Sequence, residues 1–367
     1  MALSSMGEHH VIAAKAAGGL PVQVQAALIA AAVSLLAVIL GEAFLRMGTR
    51  RAAKQTVRET YQKYADPLAF SCTDLFWRLR EAFDAKGGGF YLRGHVHLSK
   101  YEHYKALSTL YRIANLLGWI RALRRELLFL PRTDPEEAEK LDSALQRFTL
   151  ALAEGGHIEV RRVESLMRLW AVDEGASPEA IGRAGVQVDR RLKSYLHENG
   201  SSNPNDLSES GKLQLSQLLA SVMTEALGCQ SVPVGVVSET CNRAMAYLSV
   251  GEAWIYRDWQ AAIGDVMLRE AQPGARLFEV IGYKDFEKLC KEGQESDRVW
   301  MRRLNAVIDD LDIHGDRSRD ARIEQLSAVY IATAEMIRAL HLADPKRSVI
   351  SSATLNAANV TLTTSQT

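Results

Sequence analysis

The chain has 367 residues, with 44 Lys plus Arg against 44 Asp plus Glu. Zero formal charge removes any global electrostatic argument for a nucleic-acid partner, and four cysteines without a CxxC exclude a disulfide scaffold or a paired-cysteine zinc framework. Only nine prolines, with Ala, Leu, Arg and Glu abundant, favour long helices over a sandwich or barrel.

Residues 1–21 form a short N-terminus, and no charge occurs between Ala16 and Gly41. The apolar run over 22–45 predicts a transmembrane helix, since about twenty-three residues rise roughly 35 Å, enough for a hydrocarbon core. A soluble core helix of that length would carry a polar stripe, whereas only Ser34 interrupts the centre. A cleaved signal peptide would want a basic start and a small-residue cleavage site, and neither is present. Arg46, Arg50, Arg51, Lys54 and Arg58 follow the run, against Lys15 alone before it. Excess basic charge stays on the cytoplasmic side. The expectation is a single-pass anchor in the inner (plasma) membrane, N-terminus outside, with a basic juxtamembrane helix over 46–65 resting on anionic lipid heads.

Residues 66–344 read as a multi-helix cytoplasmic domain. Pro67 is expected to break the helix leading out of the membrane. Leu68, Cys72, Leu75, Phe76, Leu79 and Phe83 then recur at helical spacing. After the glycine run 87–89, a helix ended by Pro131 carries Leu116, Ile120, Leu123, Leu127 and Leu130 on one face. A helix start is predicted at Asp134–Glu137, and another at Ser177-Pro178-Glu179, with Ser177 as cap. The polar stretch 198–211 is predicted to be a mobile loop or linker. Helices resume over 212–227, 238–268, 297–311 and 320–342. The tail 345–367, rich in Ser, Thr, Ala and Asn, is expected to be disordered. The fold class expected is therefore all-α, with an N-terminal transmembrane helix.

Nucleotide-binding, hydrolase and metalloprotease motifs are missing from the sequence. The stretch from Asp310 places Asp310, Asp312 and Gly315 as in a calcium loop, but His314 and Ala321 stand where further ligands belong. His95, His97 and His103 are weak metal candidates without an evident fourth ligand. Cys72, Cys229, Cys241 and Cys290 read as packing residues. Arg121, Arg124 and Arg125 are candidates for binding phosphate, an acidic partner or the membrane surface. Trp254, Tyr256, Arg257 and Trp259 combine the residue types that anchor protein interfaces. For both groups the more ordinary reading is a solvated or packed helix face.

The segments "YADPLAFSCTDLFWRLRE", "LSTLYRIANLLGWIRALRREL", "YRDWQAAIGDVM" and "RIEQLSAVYIATAEMIRALHLADP" occur in this order. Together they resemble a bacterial family of single-span, membrane-anchored all-helical proteins with no assigned activity. The resemblance covers most of residues 20–345. It departs at "DLFWRLRE", where members have a more polar helix start, and near residue 200. It implies the architecture and no catalytic residue. The expected function is a membrane-tethered interaction or sensing module, in stress or defence signalling. It has no catalytic residue and no cofactor, and its partners are the lipid bilayer and a protein or a second copy. The rivals are an enzyme with an unrecognised helical site and a binder of anionic lipid or RNA.

Overall fold

The computed structural model describes residues 22–84, 88–94, 99–127, 136–153, 158–172, 175–271, 276–343 and 349–365. Side chains are described from Leu40 on, except at 43, 44, 50, 53, 54, 57, 58 and 136–138. The described residues are mostly helical, as expected, with one short hairpin.

Helix α1 runs without interruption over Val22–Phe83. Its residues through Val57 belong to one unit, and those from Arg58 onward to a second. Among the described residues no helix is long and apolar enough to cross a membrane. The expected span at 22–45 falls mostly on residues 22–39, whose side chains lie outside the described set. The expected break at Pro67 does not occur. A proline inside a helix forfeits one backbone bond and costs about 3 kcal/mol. Tyr64, Leu68, Cys72, Leu75, Phe76 and Leu79 are all essentially fully buried on one stripe of this helix. Each large apolar side chain contributes about 1.5–3 kcal/mol, so the stripe outweighs the proline.

The second unit contains two separate apolar cores. The larger is built from the end of α1, α2 (Lys100–Leu127), α3 (Glu136–Ala153) and elements from the C-terminal third. Ser99 starts α2 with a reciprocal cap: its Oγ accepts from Glu102 N at 3.3 Å, and its own N donates to Glu102 Oε2 at 2.7 Å. The smaller core belongs to α4 (Ile158–Trp170), α5 (Pro178–Glu198), α6 (Glu209–Leu227), α7 (Val234–Glu239) and α8 (Cys241–Leu248). Ser177 caps α5 as predicted, accepting from Ala180 N at 3.2 Å.

The stretch 198–211 is no open linker. It joins α5 to α6 within the smaller core through a 3-10 turn at Pro204–Asp206. Its polar residues turn inward on the backbone: Asn203 Oδ1 accepts from Asn205 N at 2.9 Å, and Ser201 Oγ donates to Asn203 O at 2.9 Å. Asn and Ser side chains in such a loop replace solvent as hydrogen-bond partners.

The helix expected over 238–268 is divided. Residues 249–256 are non-helical, and α9 covers Arg257–Met267. Here Gly251 N donates to Arg319 O, and Ala321 N to Gly251 O, each at 2.9 Å. A Cβ on Gly251 would meet Asp320 Cγ at 2.9 Å, so a larger residue would have to push the Asp320 carboxylate aside. Ile255 N donates to Leu152 O at 2.8 Å. Gln325 Nε2, buried on a later helix, donates to Leu152 O and Ala253 O at 2.9 Å each. The chain therefore leaves the larger core near Leu152 and re-enters beside the same residue, with the smaller lobe inserted between.

Beyond α9, β1 (Leu268–Glu270) pairs antiparallel with β2 (Phe278–Val280). Helices α10 (Tyr283–Glu292), α11 (Glu295–Asn305) and α12 (Ala321–Ala343) follow. The tail expected to be disordered holds a further helix, α13 (Ser352–Thr364). Ser351 Oγ caps it, accepting from Thr354 N at 3.1 Å. Thr354, Ala357, Ala358 and Leu362 are buried on one face. Tyr330 on α12 joins Thr361 Oγ1 at 2.8 Å and donates to Asp84 Oδ2 at 2.7 Å. Small residues at helical spacing pack closely against α12 while adding little hydrophobicity, which is why the tail does not read as a helix.

Candidate functional site

Helices α2 and α9 pack at two glycines. A Cβ on Gly264 would lie 2.7 Å from Arg121 Cβ and 3.0 Å from Leu117 O, and one on Gly118 would lie 3.0 Å from Met267 Cβ. This contact brings Arg121 to Asp265: Nε donates to Oδ1 at 2.7 Å and Nη2 to Oδ2 at 3.0 Å. Arg125 Nε approaches the same Oδ1 at 3.5 Å, and its guanidinium lies over Phe278 at 5.5 Å. Two of the three candidate arginines thus share one carboxylate and tie α2 to α9.

Arg124 differs. It is exposed, and its Nη2 donates only a long bond, 3.4 Å, to Thr149 Oγ1. Desolvation of its head group, and then the like charges of Arg257 and Arg121 against Asp142, hold the guanidinium below its ordinary range. Arg257 is exposed in the first turn of α9. Neither Arg124 nor Arg257 has a carboxylate partner among the described residues. The two groups that the sequence presents as separate candidates therefore meet here, through Arg257.

The aromatic members divide. Trp254 is half-buried and donates Nε1 to Glu252 Oε2 at 3.2 Å. Tyr256 is 53% exposed, and its ring meets Trp259 edge-on at 5.0 Å. Trp259 supports Arg303 of α11, whose guanidinium lies 3.8 Å from that ring and 4.5 Å from the Trp300 ring. Arg303 too has no ion pair among the described residues. Asp265, Trp300 and Arg303 were not singled out in the sequence. Trp300 and Arg303 stand three apart in "DRVWMRRL", the one local signal for this contact. The surface offers guanidinium groups and aromatic faces, which suit binding of an anionic or aromatic group.

The other candidates fall elsewhere. His95 and His97 lie outside the described residues, and His103 is exposed on α2. No group of three or more His, Cys, Asp or Glu among the described residues is placed to hold a metal ion. In the loop at 310–321, Asp312 Oδ1 accepts from His314 N at 3.0 Å, and Asp320 chelates the Arg322 guanidinium at 2.9 and 2.7 Å. Its carboxylates are spent on the loop itself. None of the four cysteines forms a disulfide; Cys72 and Cys241 are buried and Cys229 and Cys290 half-buried, and burial pushes the Cys290 thiol up to about 11. Arg46 pairs with Glu42 at 3.1 Å on an exposed face, and Arg51 is exposed. The side chains of Arg50, Lys54 and Arg58 lie outside the described residues.

No known protein family, curated protein or solved structure matches this chain.

Proposed function

We propose that the chain is a membrane-tethered helical interaction module. The uncharged run from Ala16 to Gly41, closed by basic residues, supports an anchor in the inner membrane with the helical body in the cytoplasm. The observation that carries the interaction reading is Arg303, stacked between Trp259 and Trp300 with no ion pair among the described residues. Arg124 and Arg257 likewise form no ion pair among the described residues, so the fitting partner is an acidic protein segment bearing an aromatic or apolar anchor.

A photo-reactive residue in place of Tyr256, in the full chain in its native membrane, tests the interface. The expected result is one discrete protein adduct, lost with Arg257→Glu or Arg303→Glu and not formed from the exposed position Val186. Equal adducts from both positions would overturn the interface. For the anchor, full-length protein should stay with membranes through high-salt washing while a chain starting at residue 46 is released. Identical behaviour of the two would overturn it.

A further inference from the structure

A cleft of ≈ 280 Å³ opens within the inserted lobe, beside the segment by which the chain leaves it. One wall is α5, with Asp189 and Lys193; the other is the non-helical segment carrying Glu252. Arg162 of α4 closes it from behind and is only 5% exposed. Its Nη1 donates to Asp189 Oδ1 at 2.9 Å, and its Nη2 donates to Val250 O at 3.2 Å and approaches Glu252 Oε1 at 3.5 Å. Its buried Nε has no acceptor. Lys193 Nζ stands 2.7 Å from Asp189 Oδ2 and 3.8 Å from Glu252 Oε1.

A buried guanidinium requires one counter-charge. Here two carboxylates and a second cation surround it at the edge of open space. The wall is therefore neutral in sum but strongly separated in charge. Beside the quartet the lining includes Leu192, Leu196 and Leu248, which are 2%, 8% and 1% exposed and so offer the cleft only a narrow apolar edge. Lys193 is 64% exposed and held by a flexible stem, so it is the member free to exchange partners. Burial opposes its charge, yet Asp189 and Glu252 keep its ammonium above the ordinary range.

The geometry points to a binding site for a small zwitterion of the free α-amino acid class. The ligand ammonium sits between Asp189 and Glu252, the ligand carboxylate takes Lys193, and the ligand side chain rests on Leu192, Leu196 and Leu248. Arg162 acts as a positioning residue, fixing both carboxylates from behind. An anion alone would meet two carboxylates, and a cation alone would meet Arg162 and Lys193; a neutral ligand with separated charges satisfies both. Because Gly251 fastens the segment that leaves the lobe to Asp320 and Ala321, occupancy would bear on how firmly the lobe is held.

The test titrates the detergent-solubilised full chain with each free L-amino acid in turn, reading thermal unfolding and heat of binding. The N-acetyl and C-amide derivatives of any that bind are tested in parallel. The expected result is saturable binding by at least one free amino acid, at least tenfold weaker for either derivative. Glu252→Gln and Lys193→Met should each weaken it at least tenfold, with the unliganded variants still unfolding in one cooperative transition. The proposal is overturned if no amino acid binds, if the blocked derivatives bind equally, or if Lys193→Met binds as wild type.

Discussion

Arg121 and Asp265, 144 positions apart in sequence, form a two-point contact in which both guanidinium donors meet both carboxylate oxygens. Asp265 also faces Arg125. Asp265→Ala should therefore leave two arginines without a counter-charge and loosen α2 from α9. The pair is about one-third exposed, so solvent screens it, and the expected loss is about 1–2 kcal/mol in urea unfolding. A change within measurement error would show that the two helices are held by packing alone.

The glycine beside this pair supports a sharper comparison. Gly264→Ala places a methyl group against Arg121 Cβ and the Leu117 carbonyl, and backbone cannot yield as a side-chain tip does. The expected cost is about 1–3 kcal/mol. Gly182→Ala, in the second turn of α5 with nothing within 4 Å, should stabilise by about 0.5–1 kcal/mol through helix propensity. Opposite signs for one substitution type would locate the effect in the α2–α9 contact.

Tyr330 predicts an alkaline limit. Burial, together with its bond to Asp84, pushes the phenol up to about 12, despite an opposing bond with Thr361. A raised folded-state pKa means that the stabilisation is fully present below the unfolded value of about 10 and is lost as pH rises toward 12. Urea midpoints should be flat in this respect from pH 7 to about 9.5 and then fall, with Tyr330→Phe falling less steeply. Parallel curves for the two proteins would refute this role.

The C-terminal helix should contribute to global stability. Leu362→Ala removes a buried side chain close to the chain end, for an expected loss of about 2 kcal/mol. Ending the chain at residue 350 also strips Thr361 from Tyr330 and Thr354 from the Trp77 indole, which it meets at 3.3 Å. Its loss should exceed that of the point variant. Unchanged unfolding of the shortened chain would mean that α13 rests on the surface without holding it.

Local signals translated well where a single helix turn decides the outcome. Ser177 caps α5, and Leu116, Ile120 and Leu123 face the core, because cap chemistry and a leucine stripe need only near neighbours. Pro67 and the tail show the limit. There a long-range partner, the buried stripe of α1 or the face of α12, overrides a local preference. The same holds for the non-helical segment 249–256, whose partners Leu152, Arg319 and Ala321 lie far along the chain. In the candidate site, the arginines and the tryptophan were legible as residue types. Their separation into Arg121 and Arg125, which pair with a carboxylate, and Arg124, Arg257 and Arg303, which form no ion pair among the described residues, depends on Asp265 and on which helix faces α9.

The hydrogen bond from Ile255 N to Leu152 O gives residues 153–254 the character of a cassette. Exit and entry are neighbours, so the rest of the chain reads through almost as if the cassette were a long surface loop. Closing a loop costs only slowly more as the loop grows, which makes such an insertion tolerable to the host. The cassette can therefore change in sequence, or in what it binds, without rewriting the core around α2, α9 and α12.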